Sequence, residues 1–258
     1  MSHTPRKRFG QNFLRDESVI TNIAKAVNPQ GNDHVVEIGP GEGALTEALI
    51  TSGCQLDAIE LDRDLRGRLL AGFSTYPCFT LHSGDALEFD FNTLPKPEER
   101  LRVVGNLPYN ISTPLIFKLL DDAKIIQDMH FMLQLEVVER LAAAPGSKDW
   151  GRLGIMAQFQ CEVEHLFDVP PEAFYPPPKV QSAVVRLTPF SESPFPEVSR
   201  SALAKVVAQA FAQRRKTLRN NFKGTLTDTD YETLQIDPSA RAETLPIANF
   251  IAITQYLT

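Results

Sequence analysis

A short apolar run at residues 103–105 ends in Asn106-Leu107-Pro108-Tyr109. An amide, a carbonyl fixed beside a proline ring and an aromatic plane together make a clamp for a flat heterocycle carrying an exocyclic amine. Adenine N6 is a poor nucleophile because its lone pair is delocalised into the ring. The Asn106 oxygen and a backbone carbonyl near Pro108, accepting its two N–H bonds, would localise that pair toward an electrophile. Tyr109 offers a stacking face, worth about 1–3 kcal/mol per base. Bringing amine and electrophile into van der Waals contact lowers the barrier by proximity. A target within a helix must first be swung out. No catalytic histidine is called for, since a quaternised nitrogen loses its proton readily. Asn106, Leu107, Pro108 and Tyr109 are therefore the candidate catalytic residues.

An electrophile needs a site of its own, and an earlier loop offers one: Glu37-Ile38-Gly39-Pro40-Gly41-Glu42-Gly43-Ala44. Glycines here let the backbone approach a ligand closely and turn into a helix. The plain alternative is a tight turn with nothing bound. Gly39-x-Gly41-x-x-Ala44 also fits a dinucleotide fingerprint with its permitted final Ala. A pyrophosphate, however, wants free N–H groups and no neighbouring carboxylates. This loop carries Glu37 and Glu42 and lacks a donor at Pro40. The acids suit a cationic cofactor, and S-adenosylmethionine, with a sulfonium and an ammonium, is such a molecule. Glu60, about twenty residues on, is placed to accept from ribose hydroxyls. Asp85 in "SGDAL" is placed to accept from an adenine amino group, or else to cap a short helix. Gly39, Glu60, Asp85 and Asn106 are the candidate cofactor residues.

These positions share one placement. "HVVEIG" (34–39), "QLDAIEL" (55–61), "FTLHSG" (79–84), "RVVGN" (102–106) and "DMHFMLQ" (128–134) read as strands. "ALTEALITSG", "DRDLRGRLLAGF" and "TPLIFKLLDDA" between them carry apolar residues at helical spacing. Such alternation specifies an α/β fold, a mostly parallel sheet with helices on both faces. Ligands of these sheets bind outside the carboxyl ends of the strands, where the clamp, glycine loop and acids all fall. "GRLGIMAQFQ" reads as a helix. "EVEHLFDV" and "SAVVRL", flanking the proline-rich "PPEAFYPPPKV", read as an antiparallel pair closing the sheet edge. "SESPFP" is a linker. Beyond it, "SRSALAKVVAQAFAQRRKTLRNNF" reads as one long helix stopped by Gly224, and "PIANFIAITQYL" as a last helix. The expected domains are 1–189, with a basic segment at 1–17, and a small all-helical 190–258.

The chain is 258 residues long with a formal net charge of −6, which argues against a general nucleic-acid binder. Local clusters nevertheless exist. Lys205, Arg214, Arg215, Lys216, Arg219 and Lys223 lie in a stretch without an acid, and Arg6, Lys7, Arg8 and Arg15 lie near the N-terminus. Either cluster is a solvated surface or a phosphate grip. The three cysteines are too far apart and odd in number to suggest a disulfide framework, and the five histidines show no metal-ligand spacing. With no apolar span of about 20 residues and no secretory signal, a cytoplasmic protein is expected.

"RKRFGQNFL", "VEIGPGEGALT", "IELDRDL", "GDAL", "GNLPYNISTPL", "MHFMLQLEVVERL", "FYPPPKVQSAVVRL" and "AFAQRRKTLRN" together resemble the ribosomal RNA adenine dimethylases over nearly the whole chain. The resemblance is specifically to the bacterial small-subunit type, whose loss gives kasugamycin resistance. The resemblance implies a Rossmann-like S-adenosylmethionine-dependent methyltransferase that dimethylates N6 of two adjacent adenosines in a hairpin near the 3′ end of 16S rRNA. Its substrate would be the assembling 30S subunit, giving it a role in ribosome biogenesis. The resemblance also implies cofactor contacts at Asn12 and Leu14 and an aromatic beside the flipped base at Phe174, which from sequence alone reads as packing. It favours RNA contacts at Arg6, Lys7, Arg8, Arg214, Arg215, Lys216 and Arg219, and a monomer is expected. Rival readings are a DNA adenine methyltransferase, disfavoured by "QNFL" and the lack of a recognisable target-recognition domain, and a macrolide-resistance methylase of large-subunit rRNA. A non-catalytic assembly or transcription factor on the same scaffold is a rival of another class.

Overall fold

The computed structural model describes residues 11–94 and 99–258. The chain opens with β1 (Phe13–Leu14) and α1 (Glu17–Val27), followed by β2 (His34–Ile38), α2 (Ala44–Ile50), β3 (Gln55–Glu60) and α3 (Arg63–Phe73). Then come β4 (Phe79–Ser83), β5 (Leu101–Asn106), α4 (Ser112–Asp121), β6 (Ile126–Gln134), α5 (Leu135–Leu141) and α6 (Arg152–Gln158). Strands β7 (Cys161–Val169), β8 (Phe174–Tyr175) and β9 (Ser182–Pro189) precede α7 (Arg200–Ala210), α8 (Leu218–Asn221), α9 (Asp228–Leu234) and α10 (Ile247–Leu257).

Seven strands form one sheet in the order β4-β3-β2-β5-β6-β9-β7. Neighbours from β4 through β6 run parallel and β6 pairs with β9 antiparallel. The α/β architecture, with helices on both sides of a mixed sheet, is the one the alternation specifies. Strand β2 is buried along its whole length, as an apolar run in a covered parallel sheet must be. The chain order jumps from β4 across to β5, and the strand next to β2 on that side is β5. This reversal opens a crevice at the carboxyl ends of β2 and β5.

Helix α1 is absent from the sequence reading, although its signals are ordinary. Asp16 accepts from the N–H groups of Ser18 and Val19 at 2.9 and 3.0 Å, and Asn28 ends the helix in the left-handed region. Val19, Ile23 and Val27, spaced by four, are its buried stripe. Arg102 of β5, 8 % exposed, ties this helix to the sheet: its guanidinium donates to the Val27 carbonyl at 2.6 Å, to Asp128 at 2.7 Å and to Asp33 at 2.8 Å. A buried guanidinium this fully paired fixes geometry more than it adds net stability. On the other side of the sheet's centre, Asp57 joins β2 to β4 by accepting from His34 and His82, each at 2.5 Å.

The described residues fall into two compact units. One comprises those up to Val138 together with Glu162–Pro189; the other comprises Glu139–Cys161 and Phe190–Thr258. This differs from a single cut at 189, because α6 packs on α7 and the Trp150 indole donates to the Leu245 carbonyl at 2.9 Å. The long C-terminal helix expected over 199–222 is a second difference. Helix α7 stops at Ala210, whose carbonyl accepts from the Asn221 side chain at 2.7 Å. The backbone then turns through Arg214, Arg215 and Lys216 before α8, whose first N–H groups go to the carbonyls of Ala240 and Pro238. Helix propensity is overridden there by side-chain capping and by partners from later in the chain.

Candidate active site

A cavity of about 280 Å³ opens at the carboxyl ends of β2, β3 and β5. The glycine loop forms one wall: Gly39, Gly41 and Gly43 all have positive φ, and the Gly39 N–H donates to the Ile59 carbonyl at 2.9 Å. At Gly43 a Cβ would lie 2.6 Å from the Phe73 ring, so the turn into α2 admits only glycine. Gly105 is required for another reason. A Cβ there would stand 2.6 Å from the Ile38 carbonyl oxygen, so β5 reaches β2 closely just below the clamp only without a side chain.

Two acids face this cavity with no ion-pair partner among the described residues. Glu37 is 2 % exposed and accepts from the Thr46 hydroxyl at 2.6 Å. Burial, with the Glu60 charge adding to it, pushes its pKa up to about 7. Glu60 is also raised by burial; its Oε2 accepts from the Gly41 N–H at 3.3 Å and its Oε1 from the Asp62 N–H at 2.8 Å. A carboxylate has about four acceptor sites, so each oxygen keeps capacity for a ligand hydroxyl. Asp85 does both things considered for it: Oδ1 accepts from the Leu87 N–H at 2.9 Å while the residue also lines the cavity.

Glu42 departs from its expected part as a welcoming charge. Its Oε2 takes Arg15 Nη2 at 3.2 Å and its Oε1 stands 3.6 Å from Arg68, so its charge is already matched.

At the clamp, the Asn106 Nδ2 donates to the Asn12 carbonyl at 3.0 Å. A carbonyl can only accept, which fixes the amide orientation and leaves the Asn106 oxygen as the acceptor on offer. The Pro108 carbonyl accepts from the Ile111 N–H at 3.1 Å and the Tyr109 carbonyl from the Ser112 hydroxyl at 3.2 Å. The Leu107 carbonyl, next to Pro108, takes no hydrogen bond from the described residues and so keeps its acceptor capacity. The Leu107 side chain is a buried anchor at 1 % exposure. The Tyr109 hydroxyl is held by Ser182 Oγ at 3.1 Å, which steadies its ring at the cavity wall.

Asn12 and Leu14 line the same cavity. Their segment is held from the far side, where β1 pairs with β8 antiparallel and the Arg15 N–H donates to Ala173 at 2.8 Å. Phe174 is placed differently from a base-flanking aromatic. It is 5 % exposed, pairs with Leu14, and packs in the core with Ala173 and Val184, outside the cavity lining. The sequence reading missed His130, a buried lining residue whose ring nitrogens make no hydrogen bond among the described residues, although Nδ1 stands 3.6 Å from Asp128 Oδ1, and whose pKa burial lowers to about 4. Its signal was a polar residue inside an apolar strand. Arg6, Lys7 and Arg8 lie outside the described residues.

A family model described as ribosomal RNA adenine dimethylase matches residues 2–258. The chain belongs to the ribosomal RNA adenine dimethylase family. It is 58 % identical over 255 residues to the protein of Pseudomonas aeruginosa named ribosomal RNA small subunit methyltransferase A, covering 99 % of this chain and 95 % of that one. A protein of the same name from Saccharophagus degradans is 55 % identical, with 99 % and 95 % covered. Among solved structures, a dimethyladenosine transferase from Plasmodium falciparum superposes with a TM-score of 0.80 at 26 % identity, covering 93 % of this chain and 95 % of that one. The 23S rRNA methyltransferase ErmE gives 0.76 at 25 %, with 95 % and 99 % covered.

Glu37 yields a prediction with a definite sign. An acid whose folded pKa is raised from 4.5 to about 7 costs stability above the unfolded value, and the cost grows until the folded pKa is passed. Glu37→Gln is therefore expected to stabilise the ligand-free protein by on the order of 2–3 kcal/mol at pH 8 and by little at pH 4.5. Urea denaturation at the two pH values measures this; an equal effect at both contradicts the assignment.

Proposed function

We propose that this chain is an S-adenosylmethionine-dependent methyltransferase that dimethylates N6 of two adjacent adenosines near the 3′ end of 16S rRNA, acting on small subunits in assembly. The supporting observation is a cavity that joins two buried carboxylates, without an ion-pair partner among the described residues, to an amide oxygen, a backbone carbonyl and a tethered tyrosine. Family membership and relatives named as small-subunit rRNA methyltransferases support the choice of substrate.

The residues fit the cofactor chemically. Acids without a cation suit a positively charged ligand and repel a pyrophosphate. Glu60 accepts from the ribose hydroxyls, Asp85 from the adenine amino group, and Asn12 and Leu14 close the side opposite the glycine loop. Bound there, S-adenosylmethionine supplies an electrophilic methyl group. The Asn106 oxygen and the Leu107 carbonyl accept the two N–H bonds of the target adenine and turn its lone pair toward that group. Pro108 fixes the carbonyl, and Tyr109 stacks on the ring. After the first transfer only one N–H remains, so the second requires one of these acceptors to give way to a methyl. Phe174 acts as a positioning residue by holding Leu14. Glu37 sets the charge of the cavity.

RNA is gripped, in this reading, by the turn between α7 and α8. Its cations are unequal: Arg214 donates to Glu243 at 3.3 Å and to the Lys148 carbonyl, and Arg219 pairs with Asp228 at 3.0 Å. Arg215 and Lys216 make no such contact among the described residues and carry the phosphate role. Arg6, Lys7 and Arg8 join them. No helix among the described residues is long and apolar enough to cross a membrane, and we take the protein to be a cytoplasmic monomer.

Asn106→Ala is expected to lower methyl transfer to unmethylated small subunits by at least about 100-fold while subunit binding changes less than about threefold. Loss of binding along with transfer contradicts the role. Replacing Arg215 and Lys216 together by alanine is expected to weaken binding and reduce its salt slope by about 2, one per phosphate contact. An unchanged slope over several salt concentrations removes this patch from the interface.

A further inference from the structure

Four segments meet at the rim of the cavity. Arg15 leaves β1 and lays its guanidinium 4.5 Å from the centroid of the Tyr175 ring in β8. Its Nη2 reaches Glu42 of the glycine loop at 3.2 Å, and Arg68 of α3 approaches the same carboxylate at 3.6 Å. Glu42 lines the cavity, as do Phe13 and Leu14, the two residues just before Arg15. The group is nevertheless open to solvent: the Arg15 side chain is 53 % exposed and Tyr175 51 % exposed.

Guanidinium planes stack on unpaired bases, and their N–H edges take phosphate oxygens. A solvent-accessible ion pair such as Arg15–Glu42 adds little stability, so exchanging the carboxylate for a phosphate costs little. From these contacts we infer that Arg15 and Tyr175 form a further RNA subsite, for a nucleotide flanking the target adenosine. Its base stacks on the outer face of the Arg15 guanidinium, with Tyr175 as backing. Its phosphate takes the N–H edge that Glu42 holds in the free protein. Glu42 is then a competitor for Arg15, placed in the cofactor loop, and RNA arrival releases it. The inference rests on the proposed function, since it assumes that single-stranded RNA enters this mouth.

The test compares binding of unmethylated small subunits by the full chain and by Arg15→Ala, Tyr175→Ala, Tyr175→Phe and Glu42→Gln variants over a salt series, with thermal melts to verify folding. Tyr175→Ala is expected to weaken binding about fivefold or more, and Tyr175→Phe to restore it. Arg15→Ala is expected to weaken binding and reduce the salt slope by about 1. Glu42→Gln is expected to tighten binding, because it frees Arg15, and to have no such effect in the Arg15→Ala background. Tighter binding by Glu42→Gln is the readout that a merely structural clasp would not give. If the parent chain binds and methylates subunits while Tyr175→Ala binds equally well, or Glu42→Gln does not bind more tightly, the subsite is refuted and the proposed function stands. If the parent chain neither binds nor methylates them, both fall.

Discussion

Glu37 and Glu60 are buried side by side at the carboxyl ends of β2 and β3 with no cationic side chain among the described residues to match them. Buried charge without a partner is among the costliest features a fold can carry. Here the cost is limited by hydrogen bonds from Thr46, Gly41 and Asp62 and by a Glu37 pKa near 7. An arrangement of this kind is at its best when a cation arrives. The cavity is thus suited to a positive ligand before any ligand is present, and the proposed clamp lies beside it.

The remaining structure holds acids and clamp at one mouth. Gly105 lets β5 lie against β2, so Asn106 emerges close to the glycine loop. The Arg102 network fixes α1 to β5 and β6, and α1 in turn carries the segment bearing Asn12 and Leu14. That segment is fastened at both ends of its short run, to Asn106 through the Asn12 carbonyl and to Ala173 through the Arg15 N–H. The active mouth therefore has a roof whose position depends on contacts distant in sequence, including the β1–β8 pair.

What the sequence disclosed follows from how local each signal is. Apolar runs between helical patterns located the central strands to within two residues, because burial of a parallel strand is written into its own composition. The carboxyl-end rule then brought Gly39, Glu60, Asp85 and Asn106 to one cavity. Long-range partners were invisible. Glu42 read as a free charge because Arg15, which matches it, lies 27 residues earlier. The break after Ala210 was hidden because Ala, Gln, Arg and Lys all favour helix, whereas the capping group is Asn221 and the competing carbonyls belong to Pro238 and Ala240. Phe174 reads as packing from sequence alone and as base-flanking only by resemblance. Its place in the core with Leu14, Ala173 and Val184 agrees with the packing reading. Its partner strand β1 lies about 160 residues away, where no local signal reaches it.

The central claim is that unmatched acids receive a cationic methyl donor. It is tested most directly by titration calorimetry of S-adenosylmethionine into the parent chain and into Glu37→Gln at pH 8, where the parent carboxyl is ionised. The account predicts binding to the parent and about tenfold weaker binding to the variant, the equivalent of about 1.4 kcal/mol, with no heat from NADH in either. Equal affinity in the two proteins, or tight binding of NADH by the parent, would contradict it.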